Sequence, residues 1–201
     1  MLRIIASLLF VAFLSGCQST KMNVATVQTL NKVAEDKSRV VFMRSSFLGN
    51  AIQSSVYEVT SGEPEFIGIV SNETRVAYVT SPGEKVFMVV GESADFLKAS
   101  LDSGKTYYSV VTPRMGVWKA RFSLHPVRNE GQDKTFLYSS DKIKKMITGT
   151  KLVEAGEEAL VWATNNAGDI KKKYEKNWAK WQKKSAKEQQ EATIRAEDHI
   201  H

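Results

Sequence analysis

Few residues in this chain are of types that carry out covalent or acid–base chemistry, and those few stand apart from one another. There is one cysteine, Cys17, and there are three histidines, His125, His199 and His201. The His-x-His pair at 199 and 201 would place two imidazoles on one strand face, but two ligands at a chain end fall short of the three or four that hold zinc. His125, in "SLHPV", falls at a strand end before Pro126, where a hydrogen-bonded structural histidine is the simpler reading. "GESAD" at 91–95 approaches a nucleophile elbow. Asp95 takes the place of its second glycine, however, and the context is strand followed by strand. No phosphate-cradling glycine loop, zinc spacing or calcium loop occurs. Glu157 and Glu158 open a helix, where carboxylates meet the positive end of the dipole. Arg44, with Ser45 and Ser46, could line a ligand pocket at the end of a first strand, as could Arg75 and Arg114, although solvated strand ends explain them as well. These residues call for no metal and no cofactor, and they point away from an enzyme.

Cys17 has a context of its own. Arg3 and the α-amino group form a positive start, and Ile4–Leu14 is an almost unbroken apolar run, too short to span a bilayer at roughly 20 residues. The pattern fits a secretory signal, yet Leu14 is too bulky for the usual small-x-small cut before Cys17. Leu14-Ser15-Gly16-Cys17 instead resembles the lipobox of bacterial lipoproteins. That resemblance implies removal of residues 1–16, a diacylglyceryl thioether on the Cys17 sulfur and acylation of the freed amino group. One chain binds a membrane reversibly and a second makes the anchor stable. Gln18, rather than Asp, follows the cysteine, which by the same resemblance favours the outer membrane over retention at the inner one. A buried free thiol is the other reading of Cys17, and it leaves the upstream pattern without a cause.

Without residues 1–16 the chain keeps 185 of its 201 residues, enough for one domain and an appendage. The formal charge of +6 drops to +5 with the loss of Arg3, which is mildly basic and well short of a nucleic-acid-binding balance. No cysteine remains after the first mature residue, so no disulfide is expected.

Composition divides the rest into three parts. Residues 17–38 are polar, with Val27, Leu30 and Val33 at near-helical spacing, and read as a tether with a short helix. Residues 39–128 hold eight short runs rich in Val, Tyr and Phe, at 39–44, 53–59, 65–71, 74–80, 85–92, 95–101, 106–112 and 117–125. Turn chemistry separates them: Pro82-Gly83 suits the centre of a type II turn, and Asp102-Ser103-Gly104 joins two further runs. Several runs alternate. Val76, Tyr78 and Thr80 would face one way, and Arg75, Ala77 and Val79 the other. The expectation is a mainly β protein, an antiparallel β-sandwich of about eight strands with a C-terminal α-helical extension at 139–201.

The runs "VVFMRSSFLGNAIQSSVYEV", "FIGIVSNETRVAYVTSPGEKVFMV" and "LDSGKTYYSVV" resemble the small bacterial lipoprotein domain family DUF2846 and, more loosely, PEGA-type surface β-domains. The likeness covers Arg39 to Val127 and consists of strand and turn punctuation, so it implies a β-sandwich and no catalytic residues.

In the extension, Ser140 or Asp141 would cap a short helix. Beyond Gly156, Leu160, Ala163, Ala167, Ile170, Tyr174, Trp178 and Trp181 recur every three or four residues and define one apolar stripe on a helix of about 25 residues, with Gly168 as a potential break. Lysines crowd its other faces. The stripe could dock on the sandwich or the shorter helix, meet a partner or a second copy, or lie on an anionic bilayer; docking at home is the commonest fate. Alternating Tyr107, Tyr108, Trp118 and Phe122 divide between core and an exposed aromatic patch suited to sugar rings or a protein. The expected function is therefore that of an outer-membrane-anchored, periplasm-facing lipoprotein, acting as a non-catalytic structural or protein-interaction module of the envelope. Its expected contacts are the membrane through Cys17 and an envelope protein through Tyr174, Trp178, Trp181 or Arg44, with no nucleic acid. The alternative is a module that binds glycan or peptidoglycan fragments.

Overall fold

A computed structural model describes residues 21–46, 52–118 and 120–200. Signal-like residues 1–16 and Cys17 lie outside them. The eight expected strands are all present: β2 (Ser38–Arg44), β3 (Ser54–Glu58), β4 (Glu65–Val70), β5 (Thr74–Thr80), β6 (Gly83–Val90), β7 (Ala94–Leu101), β8 (Thr106–Arg114) and β9 (Arg121–Pro126). Three short strands join them. These are β1 (Met22–Val24), β10 (Lys151–Ala155) and β11 (Thr193–Ile194). The helices are α1 (Asp141–Gly149), α2 (Glu157–Trp181) and α3 (Ala186–Glu191), with a short 3₁₀ turn at Lys134–Phe136.

Two sheets form, in the orders β1-β10-β5-β2-β8-β9 and β11-β7-β6-β3-β4. They are mixed, which corrects the antiparallel expectation: β2 runs parallel to β8, β10 to β5 and β11 to β7. Alternating sequence patterns do not reveal strand direction. A parallel neighbour must arrive by a crossover, and β8 reaches β2 only after the chain has visited the other sheet twice. The sheets face each other across one core, with Val40, Phe42, Tyr107, Val111 and Phe122 from the first against Val56, Phe87, Val89, Leu97 and Leu101 from the second.

Both outer faces are covered as well. Val41, Met43, Tyr108 and Val110 pack beneath Ile143 and Met146 of α1. On the second sheet, Tyr57, Met88, Val90 and Phe96 pack beneath Ile170 and Trp181 of α2. Strands such as "SRVVFMR" are thus buried on both sides, like the inner strands of layered α/β proteins, rather than half-solvated.

Residues 21–37 contain β1 and no helix, so the tether reading of this stretch needs correction. The stretch is an extended segment laid along the fold, with Met22, Ala25 and Val33 buried, whereas Val27 of the expected helical spacing is exposed. Gly68 makes room for it: a Cβ there would stand 2.9 Å from Met22 Cε, and Met22 Sδ accepts the Ile69 N–H at 3.3 Å. Residues 139–201 likewise supply strands to both sheets as well as helices, and Val153, Ala159 and Ile194 belong to the central core. Near the end of the described residues, buried Asp198 bridges Arg128 (2.9 Å) and Arg195 (2.7 Å). Ser140 caps α1 as expected, and Gly83 takes the positive φ (107°) that its turn requires.

Candidate functional site

The aromatic stripe of α2 has a partner within the chain. Phe96 of β7 is its centre, with ring centroids at 6.0 Å from Tyr174, 5.0 Å from Trp178 and 6.2 Å from Trp181, all near edge-to-face. Trp178 stacks on both Tyr174 and Trp181, at 6.2 and 5.2 Å. Lys98 and Lys184 ammonium groups sit over the Trp181 ring at 5.2 and 5.8 Å. Trp181 is 3% exposed, so it is a core residue and presents nothing to a partner; Tyr174 and Trp178 are half-buried in the same stack. Burial raises the Tyr174 phenol above its ordinary range. The helix runs through Gly168 unbroken. Its first turns are rotated from the expected stripe: Ala159 is fully buried and Trp162 packs on Phe66, while Leu160 is 53% exposed.

Arg44 is fully buried, so it is not a solvated strand end and offers no exposed surface to a partner. Its guanidinium stands 5.0 Å over the Phe122 ring and donates to the Ile52 carbonyl, and burial lowers its pKa. It holds the chain that leads into β3. Arg75 is also structural. It donates to the Ile147 and Thr150 carbonyls at the end of α1 and to Gln28 O (2.6 Å), tying α1 and the N-terminal segment to β5. Arg114 pairs with Asp95 at 3.6 Å and donates to Phe122 O at 3.2 Å.

The histidines are structural where they are described. His125 stacks on Phe136 at 4.3 Å and 7°, with Nε2 at 2.9 Å from Thr112 Oγ1, and burial lowers its pKa. His199 is buried, 6.2 Å from the Tyr107 ring. His201 is outside the described residues. Among the described residues no three His, Cys, Asp or Glu side chains gather as a metal site, and no helix is long and apolar enough to cross a membrane.

"GESAD" serves a structural purpose that its composition does not reveal. The Glu92 carboxylate accepts from the backbone N–H of Val117 (3.1 Å) and Trp118 (2.6 Å) and from Nε and Nη2 of Arg121 (2.9 and 2.7 Å). β9 accordingly begins at Arg121, and Val117 and Trp118 belong to the loop before it. Their side chains point to solvent: Met115 is 94% exposed, Val117 70% and Trp118 91%. Beside this loop is a cavity of about 190 Å³ whose walls include Lys21, Gln53, Glu92, Ala120, Trp162 and Ile170. A second hollow of about 380 Å³ lies between α2 and the β3–β4 edge, near Tyr57, Phe66, Gly168 and the Lys171–Glu63 ion pair. The sequence carried no signal for the Glu92 arrangement, because its partners are main-chain groups of a distant segment. No family model matches the chain, and no curated protein matches it significantly.

Proposed function

We propose that this chain is a lipid-anchored protein of the bacterial envelope that works as a non-catalytic structural or protein-interaction module. The observation that carries the reading is Leu14-Ser15-Gly16-Cys17 placed directly after Arg3 and the apolar run Ile4–Leu14. Acyl chains on Cys17 would hold the mature protein at the membrane, each buried methylene contributing about 0.8 kcal/mol. Gln18 after the cysteine favours the outer membrane, facing the periplasm. The likeness of residues 39–127 to DUF2846 domains is consistent with such a location and is part of the same proposal.

For the interaction role, the aromatic stripe is already engaged with Phe96. The surface left to a partner by α2 and the turn that follows it carries the exposed lysines Lys172, Lys176, Lys180 and Lys183, which suit an acidic protein face.

Metabolic labelling with a palmitate analogue tests the anchor. The natural chain takes up label and sediments with membranes, and Cys17→Ala does neither. A Cys17→Ala protein that still carried acyl label would overturn the reading. In-cell crosslinking through these lysines then tests the interaction role, with one envelope protein recovered from the natural chain and lost when the four are changed to glutamate.

A further inference from the structure

From the β8–β9 loop we infer that the protein makes a second contact with the bilayer: Met115, Val117 and Trp118 dip into the interface of the same leaflet that holds Cys17. The inference rests on the anchor reading for its orientation, and four observations carry it.

The first is exposure. Met115, Val117 and Trp118 are the three most exposed large apolar side chains among the described residues, and they sit together on one connection. The second is that the loop is built and held. Glu92 grips the amides of Val117 and Trp118 and the Arg121 side chain, while its own N–H donates to Ala120 O at 3.0 Å. A loop fixed by its backbone, with its apolar side chains turned outward, presents those side chains continuously to whatever lies in front of them.

The third is the position of the chain's entry. Lys21 and Ala120 wall the same cavity, together with Glu92, so the N-terminal segment reaches the fold beside this loop. Cys17 precedes Lys21 by four residues, a reach of at most about 14 Å. Acyl chains on Cys17 therefore bring this end of the sandwich, and not the α3 end, against the headgroups. The fourth is chemistry. An indole suits the headgroup level, Met and Val suit the acyl boundary just below it, and the partly exposed Arg114 and Arg121, paired with Asp95 and Glu92, flank the loop and leave no unpaired carboxylate of these pairs facing the lipid phosphates. Three side chains are too few to bind a bilayer alone. Added to an anchor, they fix how the domain stands on the membrane.

The test uses the acylated full chain reconstituted in vesicles of phosphatidylethanolamine and phosphatidylglycerol carrying bromine at a shallow acyl position. The other three tryptophans lie on α2, so the difference between natural protein and Trp118→Ser isolates Trp118. The expected result is indole quenching by shallow bromine in the natural protein that disappears in Trp118→Ser, with equal far-ultraviolet dichroism for the two. Equal quenching of the two proteins would overturn the inference, as would Trp118 fluorescence that responds to peptidoglycan sacculi and not to the brominated lipid. Acylation of the same samples, read by mass, decides the anchor separately: a labelled protein with an unquenched Trp118 loses the loop contact and keeps the anchor.

Discussion

Trp178 of α2 meets Phe96 of β7 edge to face, their ring centroids 5.0 Å apart. Of the three fates open to the most conspicuous stripe of the sequence, that contact selects docking at home: the stripe is the seam that closes the outer face of the second sheet. Phe96→Ala should cost about 3–5 kcal/mol of stability, because the ring is fully buried and three aromatic rings, Tyr174, Trp178 and Trp181, lose their common centre. Trp181→Ala should cost a comparable amount. Trp181→Phe should cost less than half of that, since the indole Nε1 is buried with no hydrogen-bond partner among the described residues and its removal relieves an unpaired donor. Urea unfolding of the three variants gives the ranking. A Trp181→Ala protein as stable as the natural one would show that α2 does not dock through this residue.

Arg44 and Arg75 are positively charged groups used as internal clamps. Arg75→Met keeps the aliphatic stem and removes donors to three backbone carbonyls, so a loss of about 2–4 kcal/mol is expected. Arg44→Met should also destabilise, through Ile52 O and the Phe122 ring. Neither change should alter acyl labelling at Cys17. Thermal melting reads the loss of stability, and labelling in parallel checks that acylation at Cys17 is unchanged.

His125 gives the fold a definite acid response. Burial lowers its pKa, a shift that Asp95 and Asp133 oppose and do not overcome. The unfolded chain therefore binds a proton that the folded chain refuses, and stability falls as pH drops below about 6.5, the unfolded value, until the lower folded pKa is reached. Above that window His125 adds no pH dependence. His125→Phe should keep the stack on Phe136 and flatten this part of the profile, as read from melting temperature between pH 7 and pH 5. A slope unchanged by the substitution would assign the acid response to other groups.

Gly68 is the fitting point of the N-terminal segment. Gly68→Val places carbon against Met22 and Val76, where overpacking typically costs about 1–3 kcal/mol. Hydrogen exchange should show the strain locally, with faster exchange at Ile69 and in β1. Uniform destabilisation with β1 exchange unchanged would contradict this account of how the segment is held.

Much of this architecture was legible in the sequence where local chemistry dictates it. Eight strands and their turns could be read because alternation and punctuation such as Pro82-Gly83 are local signals, and the Ser140 cap and the length of α2 likewise. The remaining strands, β1, β10 and β11, are two to five residues long and owe their conformation to neighbours distant in sequence. Leu160 and Ala159 show the same limit within a helix. Either fits the stripe, and packing of Trp162 on Phe66 decides between them. Arg44 reads as a polar strand end until the Ile52 carbonyl and the Phe122 ring are placed around it, and Glu92 has no recognisable motif at all. The proposed lipidation of Cys17 is the reverse case. That proposal rests wholly on the residues before the cysteine, which lie outside the described residues.

The central claim is the anchor, and the most direct measurement is the mass of the N-terminal peptide of the protein recovered from membranes. The account predicts a peptide that begins at Cys17 and carries a diacylglyceryl group on sulfur together with an amide-linked acyl chain. A peptide that begins at Met1, or a Cys17 recovered as a free thiol, would contradict it.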